Sequence, residues 1–161
     1  MAYYSREEQP ESRSWKRESQ KVALNASTGG AGPLPIITTL LADPINVVST
    51  GIDVSDFRRP NILLTFTGIV NLPLGISVTL NFQIFRSTDD GAAPVGSTYT
   101  FSTLVNVLES EAFSFQFFDT NLEPNNYTYT VQLNTNSIID ITPGLTITNA
   151  TLSALAVDQQ I

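Results

Sequence analysis

The sequence predicts an all-β protein, namely a single β-sandwich of jelly-roll or Greek-key topology with about eight strands and an extended N-terminal arm. Two observations lead to this fold class. Apolar and polar residues alternate over one segment after another, which is the period of a strand that buries one face. Clusters of Gly, Pro, Asn and Asp separate these segments at intervals of about 8–15 residues, as turns do in an antiparallel sandwich. A chain of 161 residues is long enough for one such domain with a sizeable core.

The N-terminal part of the chain, residues 1–34, is predicted to be a connector arm outside a sandwich of residues 35–161. Residues 1–20 are polar and charged, and Trp15 is their only large apolar residue after the first four positions. This stretch therefore cannot bury enough apolar surface to fold alone. Residues 21–27 alternate and predict a short strand.

The short strand is the candidate assembly element. Its apolar side chains share one face and, with Trp15 as an extra anchor, are predicted to fill a groove of a neighbouring subunit: Val22, Leu24 and Ala26. The strand itself would extend the neighbour's sheet as a donor strand. The glycines that follow are predicted to form a hinge to the sandwich: Gly29, Gly30 and Gly32.

The predicted strands of the sandwich are separated by turn residues. They span residues 45–50, 61–70, 76–86, 97–102, 112–118, 127–134, 137–141 and 145–157. Asp89-Asp90-Gly91 is interpreted as a hairpin turn, because the other ligand positions of a calcium loop are missing. The alternation slips between residues 149 and 152, as at a β-bulge. The side chains expected between the sheets are Phe82, Ile84, Phe113, Phe115, Tyr129, Val131 and Leu133.

The composition argues against most classes of enzyme. The chain contains no histidine and no cysteine, so it has no imidazole base, no thiolate and no disulfide. The acidic pairs Glu109/Glu111 and Asp53/Asp56 are interpreted as solvated charges, because nothing in the sequence sets either pair in a cleft. We therefore expect a protein that is not an enzyme and that uses no cofactor and no metal.

The net charge of −7 is unevenly distributed. Residues 1–21 hold five basic and four acidic residues, a balance of +1, whereas the rest of the chain holds three Arg and eleven acidic residues, a balance of −8. Such an acidic body argues against nucleic acid as a partner. No apolar run approaches the roughly 18 residues of a membrane-spanning helix, and the first residues lack the apolar segment of a secretory signal. We therefore expect no membrane partner, and synthesis in a cytoplasm.

Five segments carry a likeness to a known family. They are Gln83-Ile84-Phe85-Arg86, Pro94-Val95-Gly96-Ser97 with Phe101-Ser102, Glu111-Ala112-Phe113-Ser114-Phe115, Asn126-Tyr127-Thr128-Tyr129-Thr130-Val131, and Ile147-Thr148-Asn149-Ala150-Thr151-Leu152-Ser153-Ala154-Leu155-Ala156-Val157. Over about residues 60–157 the chain resembles small proteins of spore-forming Firmicutes that are similar to endospore appendage pilins and exosporium proteins. The resemblance implies a jelly-roll subunit whose N-terminal connector engages the next subunit in a fibre. Family members often carry cysteines, which this chain lacks, so disulfide bridging is excluded.

These observations predict a structural subunit that polymerises with copies of itself into a fibre or layer on the spore surface. The resemblance also implies a spore-surface anchoring protein as a further partner, and assembly from the mother-cell cytoplasm. Two alternatives stay open. One is a capsid or tail protein of a phage or virus-like particle, and the other is a carbohydrate-binding module that uses exposed Tyr and Trp side chains.

Overall fold

The computed structural model describes residues 20–34, 44–73, 77–104, 109–134 and 144–159. Within these ranges the chain forms eight β-strands and no helix. The strands are β1 (Val22–Ala31), β2 (Ile45–Asp53), β3 (Pro60–Leu72), β4 (Ser77–Thr88), β5 (Gly91–Leu104), β6 (Glu109–Asp119), β7 (Asn126–Asn134) and β8 (Thr146–Asp158). The predicted strand at 137–141 lies outside the described residues.

The strands form two antiparallel sheets of four strands each. One has the order β1-β8-β3-β6 and is called the β1 sheet; the other has the order β2-β7-β4-β5 and is called the β2 sheet. The pairs β1–β8, β2–β7, β3–β6 and β4–β5 are nested, as in one long hairpin whose tip is the β4–β5 turn. Every connection except that tip passes from one sheet to the other, which is the jelly-roll arrangement. The predicted fold class is confirmed.

The β4–β5 tip shows how the local sequence sets the fold. Thr88 pairs with Gly91, so Asp89 and Asp90 form the turn. Gly91 has a φ of 131°, a conformation that favours glycine, and the Asp90 amide donates to Thr88 Oγ1 at 3.3 Å. The hairpin interpretation of this segment is confirmed.

The predicted bulge in the last strand is also confirmed. Thr67 of β3 pairs with Thr151, whereas Ile69 pairs with Thr148, so β8 carries one extra residue opposite Gly68. Asn149 has a φ of 51°, the left-handed conformation that Asn tolerates better than most residues. The extra residue resets the alternation and allows the inner face of β8 to stay apolar on both sides of the bulge.

The core lies between the sheets and is rich in aromatic rings. Of the seven predicted core residues, six are buried, and Phe113 is only partly buried at the margin of the core. Phe66 of β3 stacks on Phe115 with ring centroids 4.8 Å apart, and Tyr99 of β5 stacks on the same ring at 4.0 Å. The Tyr99 hydroxyl donates to the Gln116 carbonyl at 3.1 Å, so this ring joins the β2 sheet to the edge of the β1 sheet.

A polar cluster crosses the interior at one end of the sandwich. Asp119 of β6 is buried and accepts from Arg86 Nη1 of β4 at 3.0 and 2.9 Å, one distance to each carboxylate oxygen. It also accepts from the hydroxyl of fully buried Tyr129 of β7 at 2.8 Å. Burial is the largest cause that raises the pKa of Tyr129, and Asp119 adds to it. Burial opposes the charge on Arg86, but the carboxylate raises the pKa of Arg86 above its usual value.

β1 is a strand of the sandwich and not part of a separate arm. Val22 pairs with Val157 and Ala31 with Ile147, so β1 lies against β8 over its length. The predicted boundary between an arm of residues 1–34 and a domain of residues 35–161 is therefore corrected, because the sandwich begins at Val22. Sequence periodicity marks a strand but does not show which sheet it joins.

Candidate assembly surface

β1 forms the edge of its sheet, so it has a hydrogen-bonded neighbour on one side only. The inward-facing side chains of β1 are small or polar, and they contact β2 of the other sheet. Asn25 Nδ2 donates to the Gly51 carbonyl at 2.6 Å, and Ser27 Oγ donates to Thr50 Oγ1 at 3.3 Å. The two sheets are therefore joined at this edge by polar contacts, with Ala23 and Ala31 packed against the core. The larger apolar side chains of β1 face outward.

The predicted interface residues of the strand all lie on this outward face. Val22 is 60% exposed and Leu24 is 71% exposed, and Ala26 is also exposed. In the structure, then, these side chains line the surface of their own sandwich. Trp15, the fourth predicted interface residue, lies outside the described residues.

The predicted glycine hinge is corrected. Gly29 and Gly30 lie within β1, and Gly32 follows its last residue. A Cβ atom at Gly29 would lie 2.4 Å from the Val47 carbonyl oxygen, and one at Gly30 would lie 2.6 Å from the Ile147 carbonyl oxygen. These positions need glycine because neighbouring backbone comes too close for a side chain, and not because the chain must swing there.

Four large apolar side chains form a row across the outward face of the β1 sheet. Leu24 pairs with Leu155, Leu155 with Leu63, and Leu63 with Phe118, so the row passes through all four strands. Phe118 is 57% exposed, Leu155 is 37% exposed, and Leu63 is half-buried between them. We call these four residues the apolar row. At a strand spacing of about 4.8 Å the row is about 15 Å long.

The surface around the apolar row carries no charge. From the strand ends near Val22 to the bulge at Asn149, each described residue that points outward from the four strands has an apolar, hydroxyl or amide side chain. The neighbouring rows consist of Val22, Val157 and Asn61 on one side and Ala26, Ser153, Thr65 and Gln116 on the other. Another protein can therefore cover this face without desolvating an ionised group, which would be costly.

The end of the sandwich next to the apolar row is acidic. The register places the start of β1 and β3 beside the ends of β6 and β8, and the Lys21 ammonium donates to the Asp56 carbonyl in the loop after β2. Seven acidic residues lie on the strand ends and loops here: Asp53, Asp56, Asp89, Asp90, Asp119, Glu123 and Asp158. Four basic residues accompany them, for a balance of −3: Lys21, Arg58, Arg59 and Arg86.

Two of these carboxylates are tied into loops. Asp158 accepts from the Arg58 and Arg59 amides at 2.9 and 2.8 Å. Asp53 accepts from the Ser55 amide at 2.9 Å, and this backbone hydrogen bond is the main cause that lowers the pKa of Asp53. The lowered pKa keeps Asp53 charged at neutral pH, so it contributes to the negative field at this end.

The chain enters the sandwich at this same end in a fixed direction. The Asp158 amide donates to the Lys21 carbonyl at 3.0 Å, and Gln20 Nε2 donates to the Asp158 carbonyl at 3.4 Å. Residues 20 and 21 thus continue the line of β1 alongside Asp158, the last residue of β8. The 19 residues that precede them start from a point adjacent to the apolar row.

Sequence reasoning found one end of the apolar row and missed the other three residues. Leu63, Phe118 and Leu155 each adjoin an inward-facing apolar residue, as in Leu63-Leu64 and Phe117-Phe118. Two consecutive apolar residues in a strand must point to opposite faces, so one of each pair faces outward. Such consecutive apolar residues break the alternation of the strand, and this break is the sequence signal that could have revealed the outward-facing residues.

No group of three or more Asp and Glu residues among the described residues is placed to hold a metal ion. No helix in the described part of the chain is long and apolar enough to cross a membrane. The side chains of Phe113, Phe115, Tyr127 and Tyr129 pack in or against the core, whereas Phe118 is exposed.

Two solved structures from infectious bursal disease virus are similar to this chain. The Gx strain structure has a TM-score of 0.48 at 11% identity, over 86% of this chain and 32% of that one. The Gt strain structure has a TM-score of 0.30 at 10% identity, over 85% of this chain and 39% of that one. This chain thus spans about a third of the length of those proteins.

A search of curated protein sequences found no match. One family model matches residues 21–157, from just before β1 to the penultimate residue of β8, and so covers the whole sandwich. The chain therefore belongs to the family described as a domain of unknown function, DUF4489.

Proposed function

We propose that this protein is a structural, non-enzymatic subunit that assembles with copies of itself through its N-terminal region and the β1 edge. The observation that carries the proposal is β1 itself, an edge strand that exposes Val22 and Leu24 on an uncharged face. Edge strands with exposed apolar side chains tend to pair with other chains unless they are protected. Here the described part of that face has no charged residue to oppose such pairing.

The mode of assembly is head-to-tail. Residues 1–19 precede the end of the sandwich at which the described chain begins, and a segment of 19 residues can span up to roughly 63–68 Å, which is enough to reach a neighbouring copy. A contact in which one copy donates a segment and the next accepts it builds a ring when the rotation between copies closes and an open filament when it does not, and we expect the open form. The donating arm in this proposal consists of the residues before Gln20. β1 is not part of it, because β1 pairs with β8 of its own sheet.

The finer setting is a fibre or layer on a bacterial spore surface, and the resemblance over about residues 60–157 supports it. The alternative is a capsid or tail subunit of a virus-like particle, since jelly rolls also build viral shells. The same fold serves both, so the distinction rests on the form of the assembly and not on the sandwich.

Electron microscopy of the purified full-length protein tests this proposal. Open filaments or sheets are the expected result, closed shells would favour the virus-like alternative, and a monomer at all concentrations would refute self-assembly. Leu24→Asp places a charge on the β1 face and should raise the concentration needed for assembly about tenfold or more.

The matched control is Ser49→Asp. Ser49 is also exposed on an edge strand, but it belongs to β2 and bonds to Thr130 on the outer face of the other sheet at 2.8 Å. We expect assembly of this variant to be unchanged. An equal loss in both variants would show that added negative charge, and not the β1 face, is responsible.

A further inference from the structure

We propose that the apolar row of one copy is the receptor for Trp15 of the next copy, with Arg13, Lys16 and Arg17 facing the acidic end of the sandwich. This inference rests on the proposed function and names the acceptor site that the arm requires. Two independent features support it. One is the place where the described chain begins, and the other is the negative charge of the end of the sandwich that adjoins the row.

Trp15 lies close to the end of the sandwich at which the described chain begins. It lies five residues before Gln20, so it can reach up to roughly 17 Å from that residue toward a neighbouring copy. A tryptophan side chain buries about 150–250 Å² when covered, so it needs a receptor of several apolar side chains. Among the described residues, the large apolar side chains that are most exposed are Val22, Leu24, Phe118 and Leu155, and they all lie in or beside the row.

The charges are complementary. Trp15 has three basic residues within two positions, Arg13, Lys16 and Arg17, and its nearest acidic residue is Glu18. The acidic end adjoining the row carries a balance of −3. Trp15 on the uncharged face therefore brings its basic neighbours toward opposite charge, and these residues need not be buried.

The direction of the chain favours a neighbouring copy over the same copy. The hydrogen bonds of Gln20 and Lys21 to Asp158 hold these two residues in line with β1, at the last residue of β8. A chain that keeps this line toward residue 1 runs past the end of the sheet, whereas Trp15 would have to fold back to reach its own row. An extended arm that continues forward meets the next subunit without a reversal. At each contact, one copy then contributes the arm and the next copy contributes the apolar row, as head-to-tail growth requires.

Trp15 is the only tryptophan, so its fluorescence reports this one contact in the unmodified full-length protein. At concentrations that give assembly, we expect the emission to be shifted to shorter wavelength, and dilution below the assembly concentration should shift it to that of a solvated indole. Phe118→Ser should keep the emission at the solvated position and raise the assembly concentration about tenfold. Phe118 is more than half exposed, so this variant should unfold at nearly the wild-type temperature.

The control is Gln116→Ser, on the same strand and the same face but in the neighbouring polar row. It should leave both the emission and the assembly unchanged. Trp15→Ser should weaken assembly as much as Phe118→Ser does, and the double variant should be no weaker than either, since both remove the same contact.

Three outcomes would overturn the inference. If Phe118→Ser assembles normally with a shifted Trp15 emission, Trp15 binds elsewhere and only the proposed function survives. If the row is needed but Trp15 stays solvated, the row packs against a second sandwich instead. If the emission shift depends on Phe118 but not on concentration, the arm covers its own row and self-assembly by this route fails as well.

Discussion

The outer faces of the two sheets follow the same alternation but present different surfaces. The face of the β1 sheet carries the apolar row and leaves it exposed. The outer face of the β2 sheet carries half-buried Phe85, which pairs with Thr130, and is otherwise mainly a ladder of hydroxyl and amide side chains. These bond to one another across the strands: Ser49 with Thr130, Gln132 with Asn46, Thr98 with Gln83, Thr100 with Asn81, and Thr79 with Ser102. Polar groups satisfied in this way have little to gain from a partner, whereas exposed apolar side chains do.

The two outer faces stay apart because the two sheets are held back to back. The Asp119 cluster does this in the interior, since it joins β6 of one sheet to β4 and β7 of the other. Asp119→Ala would leave the buried Tyr129 hydroxyl without its acceptor and Arg86 without its counter-charge. We expect a loss of about 3 kcal/mol in the free energy of unfolding, below the upper range for buried pairs because Arg86 is partly exposed.

Chemical denaturation of Asp119→Ala beside Tyr129→Phe measures this effect. The second variant removes one hydrogen bond and keeps the ion pair, so it should lose only about 1 kcal/mol. Equal stabilities of the two variants would show that the carboxylate does not join the sheets.

The next largest effect is expected at Gly29, where the two sheets meet at their edge. In Gly29→Ala the new methyl group would lie 2.4 Å from the Val47 carbonyl oxygen, so β1 and β2 must separate. We expect thermal unfolding to show a destabilisation of about 1–3 kcal/mol. Gly51→Ala in β2 is the control, because its methyl group would meet no atom closer than 3.9 Å. A flexible hinge at Gly29 predicts the opposite order, with Gly29→Ala harmless.

A reciprocal exchange between the faces tests the comparison directly. Leu63→Gln places an amide in the middle of the apolar row, and we expect assembly to require about tenfold more protein. Gln132→Leu places an apolar side chain in the middle of the polar ladder, between Asn46 and Gln83, and should not change assembly. Analytical ultracentrifugation of the two variants measures both effects. Stronger assembly of Gln132→Leu would mean that any exposed leucine suffices and that the row has no special role.

The smallest effect is expected within the polar ladder. Ser49→Ala removes one exposed hydroxyl contact, to Thr130, and should change the free energy of unfolding by less than about 0.5 kcal/mol and leave assembly unchanged. Calorimetry measures the change in stability, and sedimentation measures assembly. A clear loss of assembly would show that the β2 sheet also contributes an interface.

The sequence by itself determined the fold class and most of the strands. Alternation marks β3, β4, β6 and β7 because each buries one face, and the Asp89-Asp90-Gly91 turn and the bulge at Asn149 follow from local backbone preferences. Six of seven predicted core residues are buried for the same reason, since side chains on the inward face of a strand must enter the core.

Only the tertiary structure decided which strand β1 pairs with and why glycine is needed at positions 29 and 30. Alternation is the same for a strand in its own sheet and for one in a neighbour's sheet, so pairing with β8 could not be derived from residues 21–27. Gly29 and Gly30 fit a flexible break in the sequence, yet they mark backbone contacts with Val47 and Ile147, which are distant in sequence. The apolar row likewise depends on the register that aligns Leu24, Leu155, Leu63 and Phe118, because a surface is set by which strands become neighbours.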